Sequence, residues 1–449
     1  MGLYSFSGYQ TSELRKGNLS VEQIVLNGIR KENNRITYDF TCSEGLKQFY
    51  TGEPFFAEYQ ENVEEIPDAV AAIPFVGAVM PLVWVSHAEL RIPELDSDFY
   101  ECLPELRKGY GEIFPETEFS ASLQVKKLVP SAPVQKGKAG VMFSGGLDAV
   151  NTLISHIDEQ PDLITIWGAD IPCRDEESWK KFEGILKTYR DRFALPGTVI
   201  RSSLRIYEKE RQLDAVFHSQ LQDGWWHGMK HGIAMLALTA PYCYLHGLDK
   251  LYIASSFTKE DEPVRCASDP KTDNHVRFCG VQVCHDGYEF HRQDKVHNVV
   301  SYVNITKKPM NLHVCWESRA GYNCCRCEKC YRTMVSLLAE GADPRDYGFP
   351  DMEKTMKDFR WTIVHTMGKD TGLMVRRWKP IQKTIEANQK LLRKNPYWKD
   401  IRWLLYVDFQ KPETVQMSCS YRIREKLGDI PAYKKLSQLK AKILGEEVQ

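Results

Sequence analysis

The chain has 449 residues, 43% hydrophobic and 27% charged, with a formal net charge of −1. Those are the fractions of a soluble globular protein, not of a membrane-embedded or disordered one, and the length calls for two or three domains. The near-neutral total hides opposite ends: residues 1–137 hold 12 Lys and Arg against 20 Asp and Glu, and residues 351–449 hold 21 against 12.

The basic charges are scattered, which reads as a solvated helical face; nucleic acid is not the favoured partner, though it is not excluded. The first residues lack a basic region followed by an apolar core, so a cytoplasmic location is expected. Val21, Ile24, Val25 and Ile29 have helical spacing, Arg35 to Phe40 alternates like a strand, and Phe55, Phe56 and Tyr59 precede an acidic loop. Ala69 to Ser86 carries no charge, but Pro74, Gly77 and Pro81 interrupt it, so a buried core segment is expected and no membrane span. His87 has no second ligand candidate near it and reads as structural. Residues 1–137 are therefore expected as a mixed α/β domain, ending in the linker-like SAPVQKGKAG, Ser131 to Gly140.

From residue 138 to about 345, strands and helices alternate. Val141–Phe143, Leu163–Trp167, Gly197–Arg201 and Leu251–Ala254 read as strands with helices between them, which predicts a doubly wound parallel sheet. Right-handed crossovers then gather Ser144–Gly146, Gly168–Asp170, Ser202–Arg205 and Ser255–Thr258 at one edge, where ligands bind. The stretch VMFSGGLDAV, residues 141–150, is strand, glycine turn and helix. Main-chain N–H groups at Ser144, Gly145, Gly146 and Leu147, with the helix dipole, suit a pyrophosphate. Asp148 would be repelled by phosphate unless a divalent cation lay between them, so it reads as a magnesium ligand and the turn as an ATP site. No Walker-type or dinucleotide glycine motif occurs in the chain. Asp170 suits the ribose or base of ATP, or equally a cap for the helix from Glu176. Arg265, Lys271, Arg292 and Lys295 are available to neutralise phosphate, and Lys295 and Arg292 join Asp148 as the expected catalytic groups.

Asp223 to Leu248 predicts a nearly all-apolar helix with His227 and His231 on one face, open to packing, phosphate contact or metal. Cys315, Cys324, Cys327 and Cys330 follow C-x8-C-x2-C-x2-C, which predicts a closed, structural Zn2+ site in preference to an iron–sulfur cluster. Cys325 is left over, a bystander or a nucleophile. Beyond ADPRDYGFPD, residues 346–449 are expected to be helical, with Trp361, Trp378, Trp398 and Trp403 packing them. The amphipathic stretch Tyr421 to Gly445 could dock on the core or on a second subunit of a homodimer.

The S-G-G-x-D turn resembles the PP-loop of the ATP pyrophosphatases, a HUP-like fold, with Ala149 where that signature ends in serine. Together with the cysteine spacing it resembles the QueC-type cyano-deazaguanine synthases over about 139–340. The resemblance implies ATP-dependent adenylation of a carboxylate, release of pyrophosphate, and transfer to a nitrogen nucleophile. It implies ATP and Mg2+ at Ser144, Gly145, Gly146 and Asp148, and zinc at the four cysteines. The substrate would be a small-molecule or peptide carboxylate, and the added terminal domains leave room for a protein partner. Related alternatives are the muropeptide glutamate epimerases and a non-catalytic ATP-sensing module of a defence assembly.

Overall fold

The computed structural model describes residues 21–131, 137–261, 263–315, 317, 322–367 and 371–411. Eleven strands form one mixed sheet: β1 (Gln23–Glu32), β2 (Arg35–Cys42), β3 (Phe55–Glu58), β4 (Glu89–Asp96), β5 (Ser122–Val129), β6 (Lys138–Met142), β7 (Asp162–Trp167), β8 (Gly197–Ser202), β9 (Leu248–Ala254), β10 (Arg277–Phe278) and β11 (Val281–Asp286). Their spatial order is β10-β11-β9-β6-β7-β8-β3-β2-β1-β4-β5. The segment β11-β9-β6-β7-β8 is parallel throughout. Strand order reverses between β6 and β9, so a crevice opens beyond their carboxyl ends.

Alternation along the strands explains how one sheet serves two cores. Leu163, Val199 and Tyr252 pack into one apolar cluster, while their neighbours Ile164, Ile200, Leu251 and Ile253 pack into another. The first cluster carries the helices Glu176–Phe193, Arg292–Thr306 and Glu328–Ala339. The second joins the two halves of the chain: the wholly buried helix Ile73–Val85 lies against the helix His231–Leu238. The sheet is also continuous across the interval Ser131 to Gly140, because β3 pairs antiparallel with β8 through Ala57↔Ser202 and Glu58↔Arg201. Residues 132–136 of that interval lie outside the described residues.

Two elements differ from expectation. The helix read from Val21, Ile24, Val25 and Ile29 is instead β1, held by β2 on one side and β4 on the other. Within it Ile24 and Leu26 are buried and Val25 between them is not, so the period is two rather than 3.6. The long helix expected over Asp223–Leu248 breaks into a π-helical turn, Trp225–Lys230, and two α-helices, His231–Leu238 and Ala240–His246. Pro241 near the start of the last accounts for the second break. Ala69–Ser86 is buried as expected, and no helix among the described residues is long and apolar enough to cross a membrane. Near the C-terminal end the helices Met352–Met367 and Thr371–Ala387 meet through Phe359 and Trp378, with Trp403 buried beside them and Trp361 exposed. Tyr421 to Gly445 lies outside the described residues.

Gly77 marks one close approach of the two halves: a Cβ there would stand 2.3 Å from the Ala237 Cβ and 3.2 Å from the Ile233 carbonyl oxygen. Gly77→Ala should lower stability in urea titrations by about 1–3 kcal/mol. Adding Ala237→Gly should recover part of the loss, less the roughly 0.5–1 kcal/mol that glycine costs inside a helix. No recovery in the double variant would show that the two helices do not meet at this point.

Candidate functional site

At the carboxyl end of β6 the backbone stays in the sheet through Phe143, whose N–H donates to the Ile164 carbonyl at 2.8 Å, and then turns. Gly145 has a φ of +66°, a left-handed conformation in which a side chain would be strained. Gly146 is extended and caps the helix Leu147–Ser155, and its N–H lies 3.4 Å from the Ser144 Oγ. Ser144 is exposed, so the turn opens to solvent at the first position of the motif. Ala149, by contrast, is buried in the apolar core. The segment before the cysteine cluster closes over the turn, with the His313 N–H donating to the Gly145 carbonyl at 2.7 Å. Burial lowers the pKa of the His313 imidazole, and its Nε2 has no hydrogen-bond partner among the described residues.

Asp148 sits in the first turn of that helix, between two cations. Lys295 Nζ is 3.3 Å from Oδ1 and an Arg292 guanidinium nitrogen is 3.3 Å from Oδ2. Burial alone would raise this carboxyl, but the charges of Lys295, Arg292 and Lys329 override it and hold it at about 2. The cations are themselves fixed. Lys295, almost fully buried, donates to the Ser255 carbonyl at 2.5 Å, and Arg292 donates to Thr333 Oγ1 at 3.1 Å. The three expected catalytic residues thus come together, with the loop after β9 joined to them.

Two residues absent from the sequence-level list complete the cluster. Lys329 and Arg332, on the helix Glu328–Ala339, are both half-buried; burial first, and then the positive charge of Arg292, lowers Lys329 and brings Arg332 down to about 9. Glu328 pairs with Arg332 at 3.3 Å and with Arg377 at 2.8 Å. Five cations, Arg292, Lys295, Lys329, Arg332 and Arg377, therefore surround two carboxylates, Asp148 and Glu328. Exposed Asp170 stands at the rim, where its charge reaches Lys329, His313 and Arg205. It does not cap the next helix; Asp175 does, accepting from the Ser178 N–H at 3.1 Å. Arg265 pairs with Glu116, and Lys271 lies on the short helix Pro270–Asp273, away from the Asp148 contacts.

The sulfurs of Cys315, Cys324, Cys327 and Cys330 all lie within 4.8 Å of one another. The pairs Cys315–Cys327 and Cys324–Cys330 are each 3.9 Å apart. Tetrahedral zinc with Zn–S near 2.3 Å places sulfurs about 3.8 Å apart, so the four can hold a metal such as zinc. Asn323 braces the loop, donating to the Leu312 and Gly348 carbonyls and accepting from the Val314 N–H. Cys327 Sγ also accepts from the Cys330 N–H, capping the helix that carries Lys329 and Arg332. Cys325 is buried and its thiol is pushed up to about 11, chiefly by burial, which makes it inert. No family model, curated protein or solved structure matches this chain.

Sequence reasoning missed Lys329 and Arg332 because they stand inside the cysteine motif, C-E-K-C-Y-R, where spacing draws attention only to the thiols. Their three-residue separation on a helix was the available signal.

Asp148 has a folded pKa near 2, against roughly 3.9 when unfolded. Its stabilising contribution is therefore complete above about pH 4 and lost as pH falls towards 2, amounting to about 1–2 kcal/mol after allowance for partial exposure. Asp148→Asn should remove that amount at pH 7 and flatten the acid limb of stability measured by urea titration between those pH values. An unchanged acid limb would show that the two ion pairs carry no net stability. At the cysteines, Cys327→Ser or chelation should release about one metal ion per chain and lower the melting temperature steeply, whereas Cys325→Ser should change neither.

Proposed function

We propose that the crevice binds the triphosphate of ATP and activates a carboxylate as an acyl-adenylate, in the manner of a PP-loop enzyme of HUP-like fold. The observation that carries the proposal is the surplus of cations around Asp148, placed at a glycine turn and helix N-terminus where strand order reverses. Half-buried Lys329 and Arg332 are lowered by burial and then by the charge of Arg292, so an anion arriving there would be drawn in. A triphosphate is such an anion.

In this scheme the N–H groups of Gly145, Gly146 and Leu147 hold the β,γ-pyrophosphate, and Ser144 donates its hydroxyl. Mg2+ held through Asp148 would supply further charge neutralisation. Lys295 and Arg292 then turn from Asp148 towards the phosphates, and Asp170 at the rim accepts from the ribose. A carboxylate oxygen attacks the α-phosphorus, pyrophosphate leaves, and a nitrogen nucleophile displaces AMP from the acyl carbon. The stabilising groups cluster where a leaving pyrophosphate gathers charge, which fits cleavage at the α rather than the γ position. The substrate class is a small-molecule or peptide carboxylate, and the QueC-like resemblance favours ligation over epimerisation.

With ATP, magnesium and a panel of carboxylates, the protein should form AMP and pyrophosphate and exchange labelled pyrophosphate into ATP without any nucleophile. ADP and phosphate as sole products would overturn adenylation. Lys295→Met should reduce exchange by about 10²-fold or more while the protein stays folded, since Arg292 still pairs with Asp148.

A further inference from the structure

A second reactive cluster lies on the other side of the loop Ser255–Thr258. Cys266 Sγ is 3.8 Å from His231 Nε2, and the other ring nitrogen of His231, Nδ1, is 3.2 Å from the Trp226 carbonyl oxygen. His227 Nδ1 is 2.5 Å from Asp223 Oδ2. The two imidazoles stack with centroids 5.6 Å apart and planes 11° apart. Nucleophile and base are thus hydrogen-bonded, the base is oriented by a carbonyl, and a histidine–carboxylate pair is stacked on it. His227 has nearly half of its side chain exposed, so the cluster reaches solvent although Cys266 is buried.

Several features of the fold serve this geometry. The π-helical turn Trp225–Lys230 lies between Asp223 and His231, and such turns are rare and frequent at functional sites. It is anchored by Lys230, fully buried and bonded to Glu208, Tyr207 and the Leu204 carbonyl. The Ala267 N–H donates to the His227 carbonyl at 2.8 Å, fastening the cysteine loop to the histidine turn. A Cβ at Gly232 would lie 2.5 Å from the Ala267 carbonyl oxygen, so only glycine admits this approach.

We propose that Cys266, with His231 as its proton acceptor and the Asp223–His227 pair stacked beside that ring, is a nucleophile that forms a thioester with an activated acyl group. The donor rests on the adenylation proposed above. The loop Ser255–Thr258 touches both sites: the Ser255 carbonyl accepts from Lys295, and the Phe257 ring is 6.0 Å from that of His227. The thiolate attacks the carbonyl carbon of the acyl-adenylate, the C–S bond forms, the C–O bond to phosphate breaks, and AMP leaves with the electron pair. A primary amine or ammonia then attacks the thioester, the C–N bond forms, the C–S bond breaks, the thiolate is regenerated, and the surplus amine proton passes to water.

The groups facing the sulfur are His227 and His231, with Asp223 behind the first, and Asp273 and Tyr110 on neighbouring elements. Burial would raise the thiol, but the two imidazoles hold it at about 6, and Asp223 and Cys266 raise His227 to about 10. Thiolate and imidazolium therefore stabilise one another in this cluster.

The full chain mixed with p-nitrophenyl acetate, without ATP, tests the inference. A burst of one p-nitrophenolate per chain should appear, with a hydroxylamine-labile acetyl group on the Cys266 peptide. Cys266→Ser should abolish the burst, and His231→Asn should slow it about 10²-fold and move its half-rate pH upward. Cys42→Ala should leave it unchanged. Peptide mapping of the unsubstituted protein decides even where a variant fails to fold: no burst, or acetyl spread evenly over the cysteines, overturns the proposal. So does protection of Cys266 by added zinc, which would make the cluster a metal site. Because the probe needs no ATP, a missing burst leaves adenylation standing, and a burst without pyrophosphate exchange removes only the proposed donor.

Discussion

Everything around the crevice depends on holding several cations close together in a poorly solvated place. Arg292 and Lys295 pair with Asp148, Arg332 and Arg377 pair with Glu328, and the charge of Asp148 reaches Lys329. A buried charge that loses its partner costs about 3–5 kcal/mol, so such a group must be fixed by neutral contacts as well as ionic ones. That is the service of the Ser255 carbonyl to Lys295 and of Thr333 to Arg292. Strain of this kind is tolerable where a ligand relieves it, because stability withheld from the free protein returns as binding energy for an anion. The same logic explains why Asp148 stays ionised to so low a pH: two ion pairs outweigh its desolvation.

The sheet supplies the platform. Parallel strands buried on both faces need apolar residues at every position, and β6, β7 and β9 provide them: Val141 and Met142, Leu163 and Ile164, Tyr252 and Ile253 go to alternate cores. The N-terminal half adds to β8 edge to edge and drives the helix Ile73–Val85 into the helix His231–Leu238. The His227 turn, which leads into the second of those helices, is therefore braced by residues from the first hundred positions. Tyr110 makes the link direct, its hydroxyl donating to the Met229 carbonyl at 2.7 Å inside the π-helical turn.

Much of this was legible in the residues, and the misses have physical causes. Four of the five strands of the parallel segment were visible because buried strands are short apolar runs ended by glycine or polar turns, whereas β11, Val281–Asp286, was not read. The glycine turn with Asp148 and the cysteine quartet were visible because both are local, their spacing fixed within sixteen residues or fewer. β1 was misread because Val21, Ile24, Val25 and Ile29 fit a helical period by chance, and strand pairing with β2 and β4 decided otherwise. Lys329, Arg332 and the cluster of Asp223, His227, His231 and Cys266 come together through long-range packing. Cys266 stands 35 positions after His231, and no pattern in a single sequence marks that meeting.

The helix Glu328–Ala339 ties the two local motifs into one device. Its first turn carries Cys327 and Cys330 for the metal, and between and after them Lys329, Arg332 and Thr333 for the crevice. With 3.6 residues per turn, Lys329 and Arg332 share one stripe, each two residues after Cys327 and Cys330, and so face about 160° away from the thiol stripe. A metal that fixes the thiol stripe consequently fixes the direction of the cationic stripe. The other end of the same clamp, Cys315, follows His313 by two residues, and His313 is bonded to Gly145 in the glycine turn. Both the donors of the turn and the cations opposite it are thus referred to one rigid point. The triphosphate proposed for the crevice would gain from such a reference, because two independently mobile walls would lose in ordering entropy much of what the charges contribute.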